Sequence, residues 1–379
     1  MLDRPQFRAL VEQALQRSPI TAILGPRQCG KTTLARLVAK DRPHTWFDLE
    51  APEALQRLQN PSLALTPLTG LIVLDEVQRL PDIFPLLRVL ADRRPLLARV
   101  LLLGSASPQL LRQTSETLAG RIEFVDLGGF DLREVGAAAQ DQLWLRGGFP
   151  PSFLAASDDE SAVWRANFIR TFLERDLPQL GVSTAATTLR RFWTMLAHYH
   201  GQTWNAAELA GAMGLSGKTV RHYLDTLTAT YVVRQLPPWF ENIGKRQVKA
   251  PKVYVRDSGV MHNLLGLLTR DDLLGHPKAG ASWEGFAIEQ ILRVFDGDPY
   301  FWSTHNGAEL DLVLMRRRER WGFELKLADA PSTTRSMRVA LQDLRLDRLF
   351  VVYPGQESYA LDERIEAMPL TKLMASPPG

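Results

Sequence analysis

The stretch that most constrains this chain is Gly25-Pro26-Arg27-Gln28-Cys29-Gly30-Lys31-Thr32. It satisfies G-x-x-x-x-G-K-[ST] at every fixed position, and its flanks supply the context that pattern needs. Ahead of it, Ile20-Thr21-Ala22-Ile23-Leu24 reads as a short buried strand. Behind it, Thr33 to Lys40 carries Leu34, Leu37 and Val38 at helical spacing. Such a loop wraps phosphate oxygens because glycines admit close backbone approach and the helix N-terminus offers unpaired N–H groups. Lys31 would neutralise the outer phosphates, and the Thr32 hydroxyl would hold a Mg²⁺ ion.

A second apolar run, Gly70-Leu71-Ile72-Val73-Leu74, ends in Asp75-Glu76, 44 residues after Lys31. A strand with no polar residue suits a parallel sheet covered by helices on both faces. Its last residue then emerges at the carboxyl edge beside the phosphate loop. Asp75 would anchor the Mg²⁺ shell and Glu76 would polarise an attacking water. Taken alone, the segment reads equally well as an acidic turn after a buried strand; the loop upstream decides between them.

The bulk numbers bound the rest. At 379 residues, two or three domains are expected. Lys and Arg number 45 against 42 Asp and Glu, so a net charge of +3 cannot argue for nucleic acid, and only local patches can. Cys29 is the single cysteine, which excludes an intrachain disulfide. The first residues lack an apolar signal core, and no run of about 18 apolar residues occurs. The expectation is a cytoplasmic protein with no membrane segment.

Arg99 to Leu103 is another buried strand, followed by Gly104-Ser105-Ala106-Ser107. Here the chain resembles the AAA+ ATPases, whose sensor strand ends in a polar residue near the γ-phosphate. The resemblance puts Ser105 in that place, where Asn or Thr is more usual. It implies ATP and Mg²⁺ as ligands, with Gly25, Pro26, Arg27, Gln28, Cys29, Gly30, Lys31, Thr32, Thr33, Asp75 and Ser105 around the nucleotide. Arg121, before the strand Ile122–Leu127, reads as an arginine finger acting across a homo-oligomer interface or as a surface residue at a strand start. These motifs belong to one α/β domain of repeating βα units, a P-loop NTPase fold of the AAA+ type over residues 1–130.

Residues 131–188 read as a helical connector, with a turn at Arg146-Gly147-Gly148-Phe149-Pro150-Pro151, a helix start at Ser157 and a helix end at Pro178. Residues 189–240 have helix-turn-helix spacing, and Tyr231–Leu236 with Trp239–Phe240 would supply the wing of a winged helix. Ser216, Lys218, Thr219 and Arg221 would then lie nearest DNA bases, unless the module packs against protein instead. Lys245, Arg246, Lys249, Lys252 and Arg256 form a basic run, either a solvated surface or a phosphate-contacting patch.

In residues 241–379, Glu309-Leu310-Asp311 and Glu324-Leu325-Lys326 lie on two apolar strands joined through Met315–Arg320. Alternation puts Glu309 with Asp311 on one face, and Glu324 with Lys326 on another. Pairing of the strands would bring Asp311, Glu324 and Lys326 together; an exposed hairpin with a solvated Glu–Lys pair is the alternative. The set resembles the PD-(D/E)xK nucleases, a restriction-endonuclease-like fold, without the leading proline. The resemblance implies Glu284, Asp311 and Glu324 as metal ligands and Lys326 as a catalytic partner. The whole order resembles a prokaryotic family of AAA+-type, archaeal-ATPase-like proteins with an uncharacterised C-terminal domain. It implies an ATP-hydrolysing protein acting on DNA, the alternatives being an ATP-dependent switch on a protein partner or a transcription regulator using the winged helix.

Overall fold

Three of the strands nearest the loop motif are almost wholly apolar, and in the computed structural model they lie side by side. The structure describes residues 2–105, 116–240, 247–316 and 319–378. The chain divides into two units, Met1–Gly129 with Ala229–Tyr231, and Phe130–Thr228 with Val232–Gly379.

In the first unit, β1 (Ile20–Gly25), β2 (His44–Asp48), β3 (Gly70–Asp75), β4 (Ala98–Ser105) and β5 (Ile122–Asp126) form a parallel sheet in the order β2-β3-β4-β1-β5. Every residue of β1 is buried, as a strand covered on both faces requires. Ile20, Ala22, Leu24, Ile72, Leu74, Val100 and Leu102 share a core with Phe84, Leu87 and Leu90 of the helix Phe84–Ala91. The helix Pro5–Arg17 buries Phe7, Val11, Ala14 and Leu15, the stripe its periodicity predicts. Register pairs Gly25 with Ser105 and Asp48 with Asp75, so loop and acidic strand ends meet at one sheet edge. The Ser105 side chain and residues 106–107 lie outside the described residues.

In the second unit, helix Asp158–Thr171 is capped by Ser157, whose side chain accepts from the Glu160 N–H. Pro178 does not end this run. A π-helical turn, Phe172–Asp176, leads into Leu177–Gln179, its wider spacing accommodating a nitrogen that cannot donate. The Gly147–Gly148 turn seats on Asp257, which accepts from Gly148 N at 2.8 Å and caps the helix Ser258–Leu265 through Val260 N at 2.9 Å.

Next come helix Ala186–His198, β6 (Gln202–Thr203), helix Ala206–Met213, helix Gly217–Ala229, β7 (Val233–Leu236) and β8 (Lys252–Val255). The strands make an antiparallel sheet ordered β6-β8-β7. The strand that completes it is therefore Lys252–Val255 and not Trp239–Phe240; Trp239 N instead donates to Phe301 O at 2.7 Å.

Helix Ala279–Ile291 precedes β9 (Asp298–Ser303), β10 (Glu309–Arg316) and β11 (Glu319–Leu325), and helix Arg335–Asp343 leads to β12 (Arg348–Tyr353), β13 (Tyr359–Asp362) and β14 (Ile365–Pro369). Their sheet runs β13-β14-β12-β11-β10-β9, with β10 antiparallel to β9 and β11, and β12 parallel to β11 and β14. Leu312 pairs with Phe323, and one further step of that register sets Asp311 opposite Glu324. One face of this sheet buries Trp302, Leu310, Val313 and Val351 with Met337, Ala340 and Leu341 of the helix Arg335–Asp343. Among the described residues no helix is long and apolar enough to cross a membrane.

Candidate functional site

The phosphate-loop geometry follows from two glycines. A Cβ on Gly25 would lie 2.0 Å from the Leu127 carbonyl oxygen, so only glycine lets β1 end against that chain. Gly30, at φ +99°, caps the helix Lys31–Ala39 in the left-handed region, and no side chain caps that helix N-terminus. Its first amides are thus directed into the loop, as anion binding requires. Buried Lys31 donates from Nζ to the carbonyls of Gly25 at 3.0 Å and Pro26 at 2.8 Å, spanning the loop it serves.

Thr32 Oγ1 donates to Asp75 Oδ2 at 2.9 Å, joining the loop helix to the end of β3. The other oxygen, Asp75 Oδ1, is buried with no hydrogen-bond partner. Burial raises the Asp75 carboxyl from 3.8 to about 6, the Thr32 hydrogen bond opposes the rise, and the charges of Glu76 and Asp48 add to it. A buried oxygen held at this cost, next to a hydroxyl and a phosphate-type loop, fits a hard cation. Thr32 and Asp75 would hold Mg²⁺, which when bound supplies charge neutralisation at the phosphates. Glu76 follows at φ 57° and ψ 46°, a left-handed conformation costly for a residue with a Cβ, and its carboxylate accepts from Gln78 Nε2.

The remaining loop residues are held by neighbours. Arg27 pairs with Glu50, which also lies 3.6 Å from Arg79. Gln28 adopts φ 63°. The Cys29 thiol is buried and donates to Leu127 O at 3.3 Å. Thr33 lines a depression of about 510 Å³ on the outer side of the helix, with Arg36, Lys40, His44 and Trp46. Arg4 carries no sequence signal, yet its guanidinium is buried and donates to Cys29 O at 3.0 Å, Gly128 O at 3.2 Å and Gly129 O at 3.0 Å. It ties the loop backbone to the segment after β5. Arg121 sits at the amino end of β5, away from the loop edge, and grips Asp92 through Nε at 2.7 Å and Nη2 at 2.9 Å.

A second constellation lies in the second unit. Asp311 Oδ2 accepts from Leu325 N at 2.9 Å, Lys326 Nζ lies 2.7 Å from Glu324 Oε1, and Glu324 Oε2 is buried without a partner. Asp311, Glu324 and Lys326 thus meet as alternation suggests. Two further residues sit among them, Lys252 from the basic run and Tyr254, neither of which the motif pointed to. Lys252 Nζ lies 3.2 Å from Glu284 Oε1 and 3.7 Å from Asp311 Oδ1, and pairs with Glu309; Tyr254 donates its hydroxyl to Glu284 Oε1 at 2.6 Å. Burial pushes both Glu284 and Glu324 upward; Asp311 adds to the rise, while Lys252 opposes it at Glu284 and Lys326 at Glu324. Burial works to lower Lys252, but the charges of Glu284, Asp311 and Glu309 hold it well above its ordinary value. Glu284 is thus engaged by the protein's own cation, and among the described residues no three His, Cys, Asp or Glu side chains are arranged to hold a metal ion.

Two residues of the basic run turn inward, while Lys249 is exposed. Lys252 is buried in this cluster, and Arg256 pairs with the buried Glu289 at 3.1 Å, alongside Arg234. For Lys252 and Arg256 neither a solvated surface nor a phosphate-contacting patch fits, because β8 pairing is invisible locally. Lys245 and Arg246 lie outside the described residues.

The parallel sheet with its loop at the carboxyl edge, and Thr32 joined to Asp75, define a P-loop ATPase domain of the AAA class. Residues 17–136 match the AAA domain family; residues 137–271 and 279–373 match two domains of unknown function (DUF8612 and DUF4143). Proteins of Mycobacterium tuberculosis and Mycobacterium bovis, each described as uncharacterized, are 52% identical over 377 residues, 99% of this chain and 86% of theirs. The chain belongs to the family of these mycobacterial proteins. A Walker-type ATPase of Pyrococcus abyssi, 17% identical, resembles it in fold with a TM-score of 0.52, covering 70% of this chain and 96% of its own.

Proposed function

We propose that this protein hydrolyses ATP at the Lys31–Thr32–Asp75–Glu76 site and uses the nucleotide cycle to govern engagement of DNA by its second unit. The observation that carries the ATPase reading is the Thr32–Asp75 hydrogen bond, with Asp75 Oδ1 left free beside it. Lys31 and the helix amides bind and orient the phosphates. Glu76 holds the attacking water and takes its proton. Arg121 is read as a finger for a neighbouring copy, which would have to displace Asp92 to use it.

The DNA reading rests on the order helix, strand, helix, helix, strand, strand over residues 186–255, which is that of a winged helix. Ser216, Lys218 and Arg221 are exposed on the helix face that such a module presents to a major groove. The C-terminal sheet with Asp311, Glu324 and Lys326 reads as nuclease-like. One observation favours the second reading, a switch that binds a protein and cuts nothing: Lys252 and Arg256 face inward, leaving less exposed positive charge for phosphates.

ATP turnover with and without duplex DNA, with the DNA followed on a gel, tests both. Lys31→Ala is expected to abolish turnover; parent-like hydrolysis in that variant sinks the ATPase reading. Glu76→Gln is expected to keep ATP binding and lose hydrolysis by about 10²-fold or more. Turnover indifferent to DNA selects the protein-directed switch.

A further inference from the structure

The resemblance to metal nucleases calls for a divalent cation among Glu284, Asp311 and Glu324. The side chains present already set a cation against Glu284. We propose that the Lys252 ammonium is the resident cation of this cluster, and that Glu284, Glu309 and Asp311 form a cage closed to divalent metals while Lys252 is in place. This concerns the same residues as the nuclease-like reading and deepens it: the fold keeps the carboxylates but supplies their counter-charge from β8.

Three features carry the inference. First, Lys252 is only 6% exposed in its side chain and is anchored on both sides, its backbone paired with Thr203 of β6 and Leu236 of β7. The Phe301 ring, 5.6 Å from Nζ, closes another side. The β8 backbone thus fixes where this side chain starts, and a buried ammonium persists only where carboxylates surround it. Secondly, one oxygen each of Glu284 and Asp311 is already hydrogen-bonded within the protein. Glu284 Oε1 accepts from both Lys252 and Tyr254, Asp311 Oδ2 accepts from Leu325 N, and Asp311 Oδ1 faces Lys252. Among the fully buried oxygens of these carboxylates, within the described residues, only Glu324 Oε2 lacks a partner. A Mg²⁺ ion wants about six oxygens in near-octahedral array, and here an ammonium already stands against Glu284 Oε1 with Asp311 Oδ1 3.7 Å away. Thirdly, Lys252 lies outside the Glu-x-Lys motif. That motif's own lysine, Lys326, sits on Glu324, so the cluster holds two ammonium groups.

Mn²⁺ binding, followed by loss of the free-ion electron paramagnetic resonance signal, tests the proposal on the full chain without ATP or DNA. Its failure is therefore separable from failure of the ATPase or DNA readings. The parent and Asp311→Asn are expected to bind Mn²⁺ alike. Lys252→Met is expected to gain one site at least about tenfold tighter than any in the parent, and Lys252→Met with Asp311→Asn to lose it again. A parent site that Asp311→Asn abolishes overturns the proposal, and so does a folded Lys252→Met that gains nothing. If Lys252→Met does not fold, the comparison of parent with Asp311→Asn decides: equal binding supports the internal cation, and unequal binding removes it.

Discussion

Asp75→Asn should make the protein more stable and catalytically dead at once. The carboxyl is raised from 3.8 to about 6, chiefly by burial. Each pKa unit corresponds to about 1.36 kcal/mol, so the ionised side chain costs the fold roughly 3 kcal/mol at pH 8. The sign follows from the direction. A raised folded pKa means the penalty is full above about pH 6, where the folded carboxylate is charged, and disappears below about pH 4, where both states are protonated. At pH 5 about half should remain. Asparagine keeps the volume and an oxygen to accept from Thr32, but carries no charge for a cation. At about 3 °C per kcal/mol for a domain of this size, the melting temperature should rise by roughly 10 °C at pH 8 and by roughly half that at pH 5. ATP turnover should fall by about 10²-fold or more, and Mg²⁺ with ATP should stabilise the parent but not the variant. Thermal melts at the two pH values, paired with phosphate release, make the measurement. Equal melting temperatures at pH 8, or a gain that does not shrink at pH 5, would refute the claim that Asp75 is held charged against the fold for a cation.

Three further outcomes follow from other sites. Against burial, Arg234 and Arg256 lower Glu289 to about 2, so its stabilisation is present above about pH 4.5 and is lost as pH falls toward 2; Glu289→Gln, leaving two arginines short of a counter-charge, should cost about 3–5 kcal/mol in denaturant melts. Cys29 is fully buried, so iodoacetamide should label it at least about 10²-fold more slowly than a free thiol whether or not nucleotide is bound, and prompt labelling would contradict the loop packing against Leu127. If the helix Gly217–Ala229 meets DNA phosphates, Lys218→Ala and Arg221→Ala should each lower the slope of affinity against salt by about 1, while unchanged slopes would favour a protein partner.

The contrast between the two constellations shows where sequence reasoning reached. The geometry of the candidate nucleotide site was legible because its parts are local: a strand, a loop of fixed spacing and a helix start occupy residues 20–39, and a second strand ends in Asp75. Alternation along β10 and β11 was likewise enough to bring Asp311 to Glu324 once the strands pair. Arg4 was invisible, since a lone arginine near a chain start has no pattern; only folding carries it to the Cys29 carbonyl. Pro178 misled because proline usually stops a helix, and the π-helical turn before it removes the reason to stop.

The sequence by itself determined the phosphate loop, the acidic strand ends and the apolar strands between them, because these follow from contacts between near neighbours and from side-chain periodicities of 2 and 3.6. Tertiary structure alone decided the charge of the second cluster. Lys252 and Arg256 look alike in the chain, but pairing of β8 with β6 and β7 turns Lys252 inward, and Arg256 just beyond it meets the buried Glu289. Which carboxylates they meet depends on the helix Ala279–Ile291 and on β10. A residue's charge is written in the sequence, but its counter-charge is chosen by burial, since desolvation forces each buried ion onto whichever partner the fold brings within reach.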